Sequence, residues 1–153
     1  MTRVLDLLIA AVGLVVAVPL FIVCLPVISL TSVGPPIFAQ PRVGRQQRPF
    51  ICYKLRTMRL GTVSAASHAV SQAAVTPFGR FLRRTKLDEL PQLWNVLVGD
   101  MSLVGPRPCL PSQTALIAAR EVRGVYALRP GITGPAQVLG VDMSDPERLS
   151  RLI

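Results

Sequence analysis

The chain has an unusual shortage of negative charge. No Asp or Glu lies between Asp6 and Asp88, and the 153 residues include 17 Lys and Arg against 8 Asp and Glu. Ten of these cations lie between Arg42 and Lys86. A segment with many cations and no acids is expected to face an anionic partner. The candidates are nucleic acid, an acidic lipid surface and a phosphorylated substrate.

Aromatic residues are also scarce. One Trp, two Tyr and five Phe provide few platforms for base stacking, and no nucleic-acid-binding motif is recognisable. We therefore expect no nucleic-acid partner. The lipid surface and the phosphorylated substrate remain.

Cysteine and histidine are too few for a metal or disulfide framework. Cys24, Cys52 and Cys109 are odd in number, widely spaced and without a C-x-x-C pair, so we interpret them as buried small hydrophobes in a reducing compartment. His68 is the only histidine and has no carboxylate or cysteine near it in sequence. We interpret it as a surface residue.

Charge is absent altogether from residues 7–30, "LLIAAVGLVVAVPLFIVCLPVISL". As a straight helix this segment would be ~36 Å long, more than the ~30 Å of a hydrocarbon layer. Three interpretations compete: a cleaved signal peptide, a simple spanning helix and a re-entrant hairpin. Asp6 beside the only early cation, Arg3, argues against the signal peptide.

Proline favours the re-entrant hairpin. Pro19 lies in the middle of the apolar run, where it cannot donate to the Val15 carbonyl and its ring clashes with that group. A break there leaves two arms of ~18 Å, enough to enter one leaflet and return. The positive-inside tendency keeps the basic segment after Arg42 cytoplasmic, but charge alone does not separate a hairpin from a span with its N-terminus outside.

The remaining chain predicts a small α+β lobe lying on the membrane surface. Alternating apolar residues predict a β-hairpin with strands at residues 37–43 and 50–56. Residues 76–86 predict a short amphipathic helix, suited to an anionic membrane or to an ordinary solvated surface. Further helices are expected at residues 90–97, with Gly99 as the stop, and at residues 112–126, followed by the loop "RPGITGP". Residues 61–75 predict a mobile loop or weak helix.

Two adjacent carboxylates, Asp88 and Glu89, end the acid-free stretch in "TKLDELPQLWNVLVGD". Such a pair is usually a helix cap and a complement to the helix dipole. An N-cap aspartate held ionised by backbone N–H groups and arginines is also suited to act as a nucleophile or metal ligand. With so many cations nearby, the pattern favours a phosphoryl-transfer site.

Three segments carry a resemblance to a known family: "PRVGRQQRPFICYKLRTM", "TPFGRFLRRTKLDELPQLWNVLVGDMSLVGPRP" and "RPGITGPAQV". Together they resemble the bacterial sugar transferases, monotopic phosphoglycosyl transferases that start glycoconjugate assembly. The resemblance covers residues 2–138, and the LDELPQLWNVLVGDMSLVGPRP block is highly specific. It implies transfer of a sugar 1-phosphate from a UDP-sugar to polyprenyl (undecaprenyl) phosphate, with UMP released and a covalent aspartyl intermediate formed. Such a step would open exopolysaccharide or O-antigen assembly.

The resemblance also implies roles for individual residues. Asp88 matches the nucleophile, and Glu89 matches its partner in metal binding or proton handling, so both would hold Mg²⁺. The residues expected to bind substrate or phosphate are Lys54, Arg56, Arg83, Arg107, Arg129, Gly131, Thr133 and Gly134, the glycines through free backbone donors. Alternatives stay open: Lys54 and Arg83 in contact with lipid headgroups, Arg107 paired with Asp100, and the glycines in simple turns.

Val18 and Pro19 match the membrane hinge of the family. Val18 stands where Ser is frequent, so the kink lacks a hydroxyl that would bond a freed carbonyl, and Lys86 stands where a small residue is common. We expect residues 1–30 to form a re-entrant anchor and residues 31–153 a cytoplasmic catalytic domain, shorter at its C-terminus than is usual in the family. The expected location is the cytoplasmic face of the bacterial inner membrane.

The expected partners are UDP-sugar, polyprenyl phosphate and anionic lipids. Residues 61–75 are the candidate specificity element, since they are the least constrained, but the sugar is not identified, and a homodimer stays an open option. The alternative function is a non-catalytic, basic membrane module that binds anionic lipid or a partner enzyme.

Overall fold

The computed structural model describes residues 3–59, 61, 74–134 and 138. Its mixture of helices and short strands agrees with the predicted α+β class. The loop predicted at residues 61–75 lies almost wholly outside the described residues, as does His68. Four helices and four strands lie in the described part: α1 Arg3–Thr31, β1 Ile37–Val43, β2 Pro49–Leu55, α2 Pro77–Thr85, α3 Gln92–Val98, β3 Ser102–Val104, α4 Thr114–Val122 and β4 Gly131–Thr133.

Helix α1 is long and apolar enough to cross a membrane. It runs as one α-helix through both Pro19 and Pro26, so the predicted break into two arms is not confirmed. Its buried residues are spaced by four or seven residues, which places them on one face of a helix: Asp6, Ala10, Ala17, Cys24 and Ile28. The remaining surface exposes large apolar side chains along the whole helix, among them Val12, Val15, Val16, Val18, Ile22 and Val23.

The buried face of α1 packs on the rest of the protein along its whole length. Near one end, Ala10 joins a core cluster with Phe50, Cys52 and Val96. Near the other end, Cys24 and Ile28 join a second cluster, with Leu55 and Leu82. Small residues permit this close packing, since a Cβ on Gly13 would lie 3.0 Å from Leu93 Cδ1.

Polar contacts hold both ends of α1 on the same lobe. The Arg3 guanidinium donates to the Val96 carbonyl at 2.6 Å, and the buried Asp6 carboxylate accepts from Ser102 Oγ at 2.7 Å. At the other end, the Arg56 guanidinium donates to the Ser32 carbonyl. Arg3 and Asp6, the two charged side chains just before the apolar run in the sequence, therefore fix its N-terminus to the lobe.

Strands β1 and β2 form the predicted hairpin, in antiparallel register from Ile37 opposite Leu55 to Val43 opposite Pro49. Alternation along β2 buries Phe50 and Cys52, and Lys54 follows them on the same face. The three cysteines are free and buried, as predicted.

Helix α2 confirms the predicted amphipathic helix. The Thr76 side chain caps it by accepting from the Gly79 N–H at 2.9 Å. Leu82 is fully buried, while Arg80 and Arg84 are exposed. Helix α3 ends at Gly99, whose φ of 101° is left-handed, as its predicted role as the stop requires.

Two elements of the C-terminal part differ from the prediction. Strands β3 and β4 form a parallel pair, whereas the "RPGITGP" segment was expected to be a loop. Helix α4 ends at Val122 rather than at residue 126, because Gly124 takes a left-handed φ of 66° and a 3-10 turn follows at Val125–Ala127.

Candidate active site

Asp88 and Glu89 lie in a 3-10 turn, Leu87–Glu89, between α2 and α3. The prediction that Asp88 caps a helix is wrong, because the N-cap of α3 is Pro91. Lys86 causes the difference: its left-handed conformation, with φ 61°, ends α2. The chain then turns once in 3-10 geometry before α3 begins, which places the two carboxylates in the bend.

Glu89 is the centre of an ion-pair cluster. Its Oε1 accepts from Lys54 Nζ at 2.8 Å and from Arg107 Nη2 at 2.9 Å. Burial by itself would raise the pKa of Glu89, but the charges and hydrogen bonds of Lys54 and Arg107 outweigh it and lower the pKa to about 2. Glu89 is therefore ionised at neutral pH. Arg107 contacts Glu89, so the alternative of a pair with Asp100 does not describe this loop.

Asp88 has the opposite environment. Its side chain is 8% exposed, and its buried Oδ1 has no hydrogen-bond partner. Burial raises the pKa of Asp88 and the charge of Glu89 raises it further, while Lys54, Arg83 and Lys86 lower it. The expectation that backbone N–H groups hold Asp88 ionised is wrong for Oδ1. A buried carboxylate oxygen without a donor is costly, which makes Asp88 a candidate functional group.

Cations from three different elements surround this pair of carboxylates. Lys54 comes from β2, Arg107 from the loop after β3, and Arg83 from the last turn of α2. The Arg83 Nε donates to Thr57 Oγ1 at 2.9 Å, which fixes its side chain. The structure thus brings together five of the predicted site residues: Lys54, Arg83, Asp88, Glu89 and Arg107.

Asn95 connects α3, the helix that follows the two carboxylates, with β2, the strand that carries Lys54. It is fully buried, and its side chain donates to the Ile51 carbonyl at 2.7 Å and accepts from the Tyr53 N–H at 3.1 Å. The amide thus docks α3 on the edge of β2. Sequence reasoning missed Asn95.

The structure places the other predicted phosphate-binding residues in structural contacts. Arg56 is buried and holds the end of α1, and the Arg129 Nε donates to the Gly99 carbonyl at 3.0 Å, beyond the end of α3. The Gly131 N–H is not free, because it donates to the Pro106 carbonyl at 3.0 Å. A Cβ on Gly131 would lie 2.1 Å from the Gly105 nitrogen, so close packing explains this glycine.

Thr133 and Gly134 also form backbone contacts. The Thr133 carbonyl accepts from the Gly105 N–H at 2.9 Å, and the Gly134 carbonyl accepts from the Val138 N–H at 3.1 Å. The first of these bonds connects β4 with the loop after β3. No contact of Thr133 or Gly134 with the carboxylate pair is seen in the described part of the chain.

Comparison with known proteins identifies the family of the chain. The chain matches the bacterial sugar transferase family over residues 1–151. It is 45% identical over 143 residues to the UDP-glucose:undecaprenyl-phosphate glucose-1-phosphate transferase of Caulobacter vibrioides. The aligned region covers 91% of this chain and 54% of that protein. A protein of the same name from Escherichia coli is 40% identical over 144 residues, covering 88% and 30%. The UDP-galactose-lipid carrier transferase of Erwinia amylovora is 37% identical over 124 residues, covering 70% and 26%.

The chain belongs to the bacterial sugar transferase family. It spans about half or less of the length of the three relatives named above.

Proposed function

We propose that this chain transfers a sugar 1-phosphate from a UDP-sugar to a polyprenyl phosphate such as undecaprenyl phosphate. The observation that carries the proposal is the contrast within the carboxylate pair. Glu89 is held ionised by Lys54 and Arg107, while the neighbouring Asp88 presents a buried oxygen with no partner. The names of the relatives support the same class of reaction.

In the first step, the Asp88 carboxylate attacks the β-phosphorus of the UDP-sugar. A bond forms between a carboxylate oxygen and phosphorus, and the bond from phosphorus to the bridging oxygen breaks. UMP leaves with that electron pair, and the sugar phosphate stays on Asp88 as an acyl phosphate. Lys54, Arg83 and Arg107 are placed to offset the charge on the transferring group.

In the second step, a phosphate oxygen of the polyprenyl phosphate attacks the same phosphorus. The bond from phosphorus to Asp88 breaks, the free carboxylate returns and polyprenyl diphosphate sugar is formed. Two displacements at one centre need only one nucleophile and one cationic site. The sugar is left open, because the names of the relatives include both glucose and galactose.

The site also fits a magnesium ion delivered with the substrate. In the described part of the chain, no group of three or more His, Cys, Asp and Glu residues could hold a metal. Mg²⁺ commonly binds through one or two carboxylates together with substrate phosphates. Asp88 Oδ1 and the second oxygen of Glu89 would provide those ligands, and the ion would neutralise the diphosphate when bound.

We further propose that α1 enters the membrane without crossing it. Its buried face contacts the lobe near both ends, and Arg3 and Asp6 are bonded to the lobe directly. A transverse span would separate the two ends by ~30 Å of hydrocarbon. Both ends therefore lie on the face that carries the active site, and the positive-inside tendency of the basic segment favours the cytoplasm for that face.

This topology predicts the labelling of a cysteine introduced at position 2. In a background without Cys24, Cys52 and Cys109, a membrane-impermeant maleimide should label it only in inverted vesicles, where the cytoplasmic face is accessible. A cysteine in place of the exposed Arg45 serves as the cytoplasmic control. Labelling at position 2 from the outside of intact spheroplasts would contradict the proposal.

The reaction itself is tested by UMP release. Purified protein in lipid nanodiscs would receive polyprenyl phosphate, Mg²⁺ and, in turn, UDP-hexoses and UDP-N-acetylhexosamines. We expect at least one sugar nucleotide to give UMP and polyprenyl diphosphate sugar in equal amounts. Absence of UMP with every donor would contradict the proposed function.

A further inference from the structure

The loop that carries Arg107 is held on the protein mainly through its backbone carbonyls. Arg107 lies between Pro106 and Pro108, and proline has no backbone N–H. Most of the hydrogen bonds that fix this loop must therefore be accepted by its carbonyls. The question is which groups donate to them.

Four consecutive carbonyls of the loop accept hydrogen bonds from three elements of the protein, β4, α4 and β1. The Pro106 carbonyl accepts from the Gly131 N–H at 3.0 Å, and the Cys109 carbonyl accepts from the Val43 N–H at 3.0 Å. The two carbonyls between them accept from arginine side chains. The Arg107 carbonyl is bonded by Arg120 Nη1 at 2.7 Å and the Pro108 carbonyl by Arg42 Nη1 at 3.1 Å.

Both of these arginines are buried: Arg120 is 3% exposed and Arg42 is 8% exposed. Neither forms an ion pair within the part of the chain that the structure describes. Arg42 is held by Gln40 Oε1 at 2.6 Å. Burying a guanidinium without a carboxylate is costly, so the contacts that each one makes are its main structural role. For Arg120 the contact is with the Arg107 carbonyl, and for Arg42 it is with the Pro108 carbonyl.

We propose that Arg120 and Arg42 are positioning residues that hold the Pro106–Pro108 loop so that Arg107 reaches Glu89. Arg120 has the larger effect, because it bonds the carbonyl of Arg107 itself and does so at the shorter distance. Without it, the loop loses a charge-assisted bond and the Arg107 guanidinium moves away from the carboxylate at 2.9 Å. The effect on catalysis rests on the proposed function, but the effect on the Arg107–Glu89 contact does not.

A double-mutant cycle tests this proposal. Arg120→Met keeps the apolar volume but removes the donor, Arg120→Lys keeps a charge and a donor, and Arg107→Ala removes the positioned side chain. We expect R120M to slow UMP release about tenfold, R107A about a hundredfold, and the double variant no more than R107A alone. R120K should recover at least half of the loss on a logarithmic scale. Arg45→Met, an exposed arginine of the hairpin turn, is the control and should leave the rate unchanged.

Thermal unfolding of the same variants provides a readout that is independent of catalysis. If Arg120 places Arg107 on Glu89, the decrease in Tm caused by R107A should be at least halved in the R120M background. Additive effects on both Tm and rate would overturn the positioning role. If the Tm values of the four proteins in the cycle show the coupling but the wild type releases no UMP, the proposed function fails and the positioning role stands.

Discussion

Asp88→Asn is expected to decrease UMP release by at least about 10³-fold, because the amide cannot form the acyl phosphate. The substitution is nearly isosteric and changes neither α1 nor the Arg3 and Asp6 contacts, so membrane association should be retained. The measurement is UMP release and vesicle flotation, on the same preparations. Glu121→Gln, an acid-to-amide change at an exposed position of α4, is the matched control.

The same variant should be more stable than the wild type at neutral pH. Burial raises the pKa of Asp88, so the folded state binds a proton more readily than the unfolded state and the ionised carboxylate opposes folding. Asn removes that cost, and the gain should shrink as the pH falls and Asp88 protonates.

A D88N variant that releases UMP at the wild-type rate would contradict the covalent mechanism. A wild type that binds vesicles but never releases UMP would favour the basic membrane module.

Glu89→Gln is expected to have a comparable effect on catalysis and the opposite effect on stability. The amide leaves Lys54 and Arg107 facing each other without a counter-charge, so UMP release should fall by about 10²- to 10⁴-fold. The pKa of Glu89 is about 2, against an ordinary value of 4.5. That difference corresponds to about 3 kcal/mol of folding stability at neutral pH.

The pH dependence of this stability difference has a definite sign. Because the folded pKa of Glu89 lies below the unfolded value, the stabilisation is complete above about pH 5 and is lost as the pH falls toward 2. The stability of the wild type and of E89Q should therefore converge over that range, as measured by denaturant unfolding. An E89Q variant with wild-type stability at pH 7 would contradict the ion-pair cluster. The two neighbouring acid-to-amide changes thus serve as controls for each other.

Local patterns were sufficient to predict the β-hairpin, α2 and the end of α3. Alternation defines β1 and β2, Thr76 and Pro77 begin α2, and a left-handed Gly99 ends α3. These features depend on neighbours within a few residues. Strands β3 and β4 were missed because each has only three residues, too few to show a period.

The members of the site could be named from the resemblance, but their electrostatic roles could not. Lys54 and Arg107 reach Glu89 from positions 35 and 18 residues away in the chain, so their choice of Glu89 over Asp88 depends on tertiary packing. The left-handed Lys86 ends α2 just before the two acids, and α3 begins only after Pro91, so Asp88 is not the expected cap. Asn95 and Arg120 could not be recognised as important, because their partners are backbone groups that no side-chain pattern reveals.

Mass spectrometry of the halted first step tests the central claim most directly. Wild-type protein would be mixed with UDP-sugar and Mg²⁺ without any polyprenyl phosphate, quenched in acid and digested. We predict that the peptide carrying Asp88 gains the mass of one sugar phosphate in an amount matching the UMP released, and that the D88N peptide gains none. UMP release from the wild type without that added mass would contradict a phosphosugar bound to Asp88.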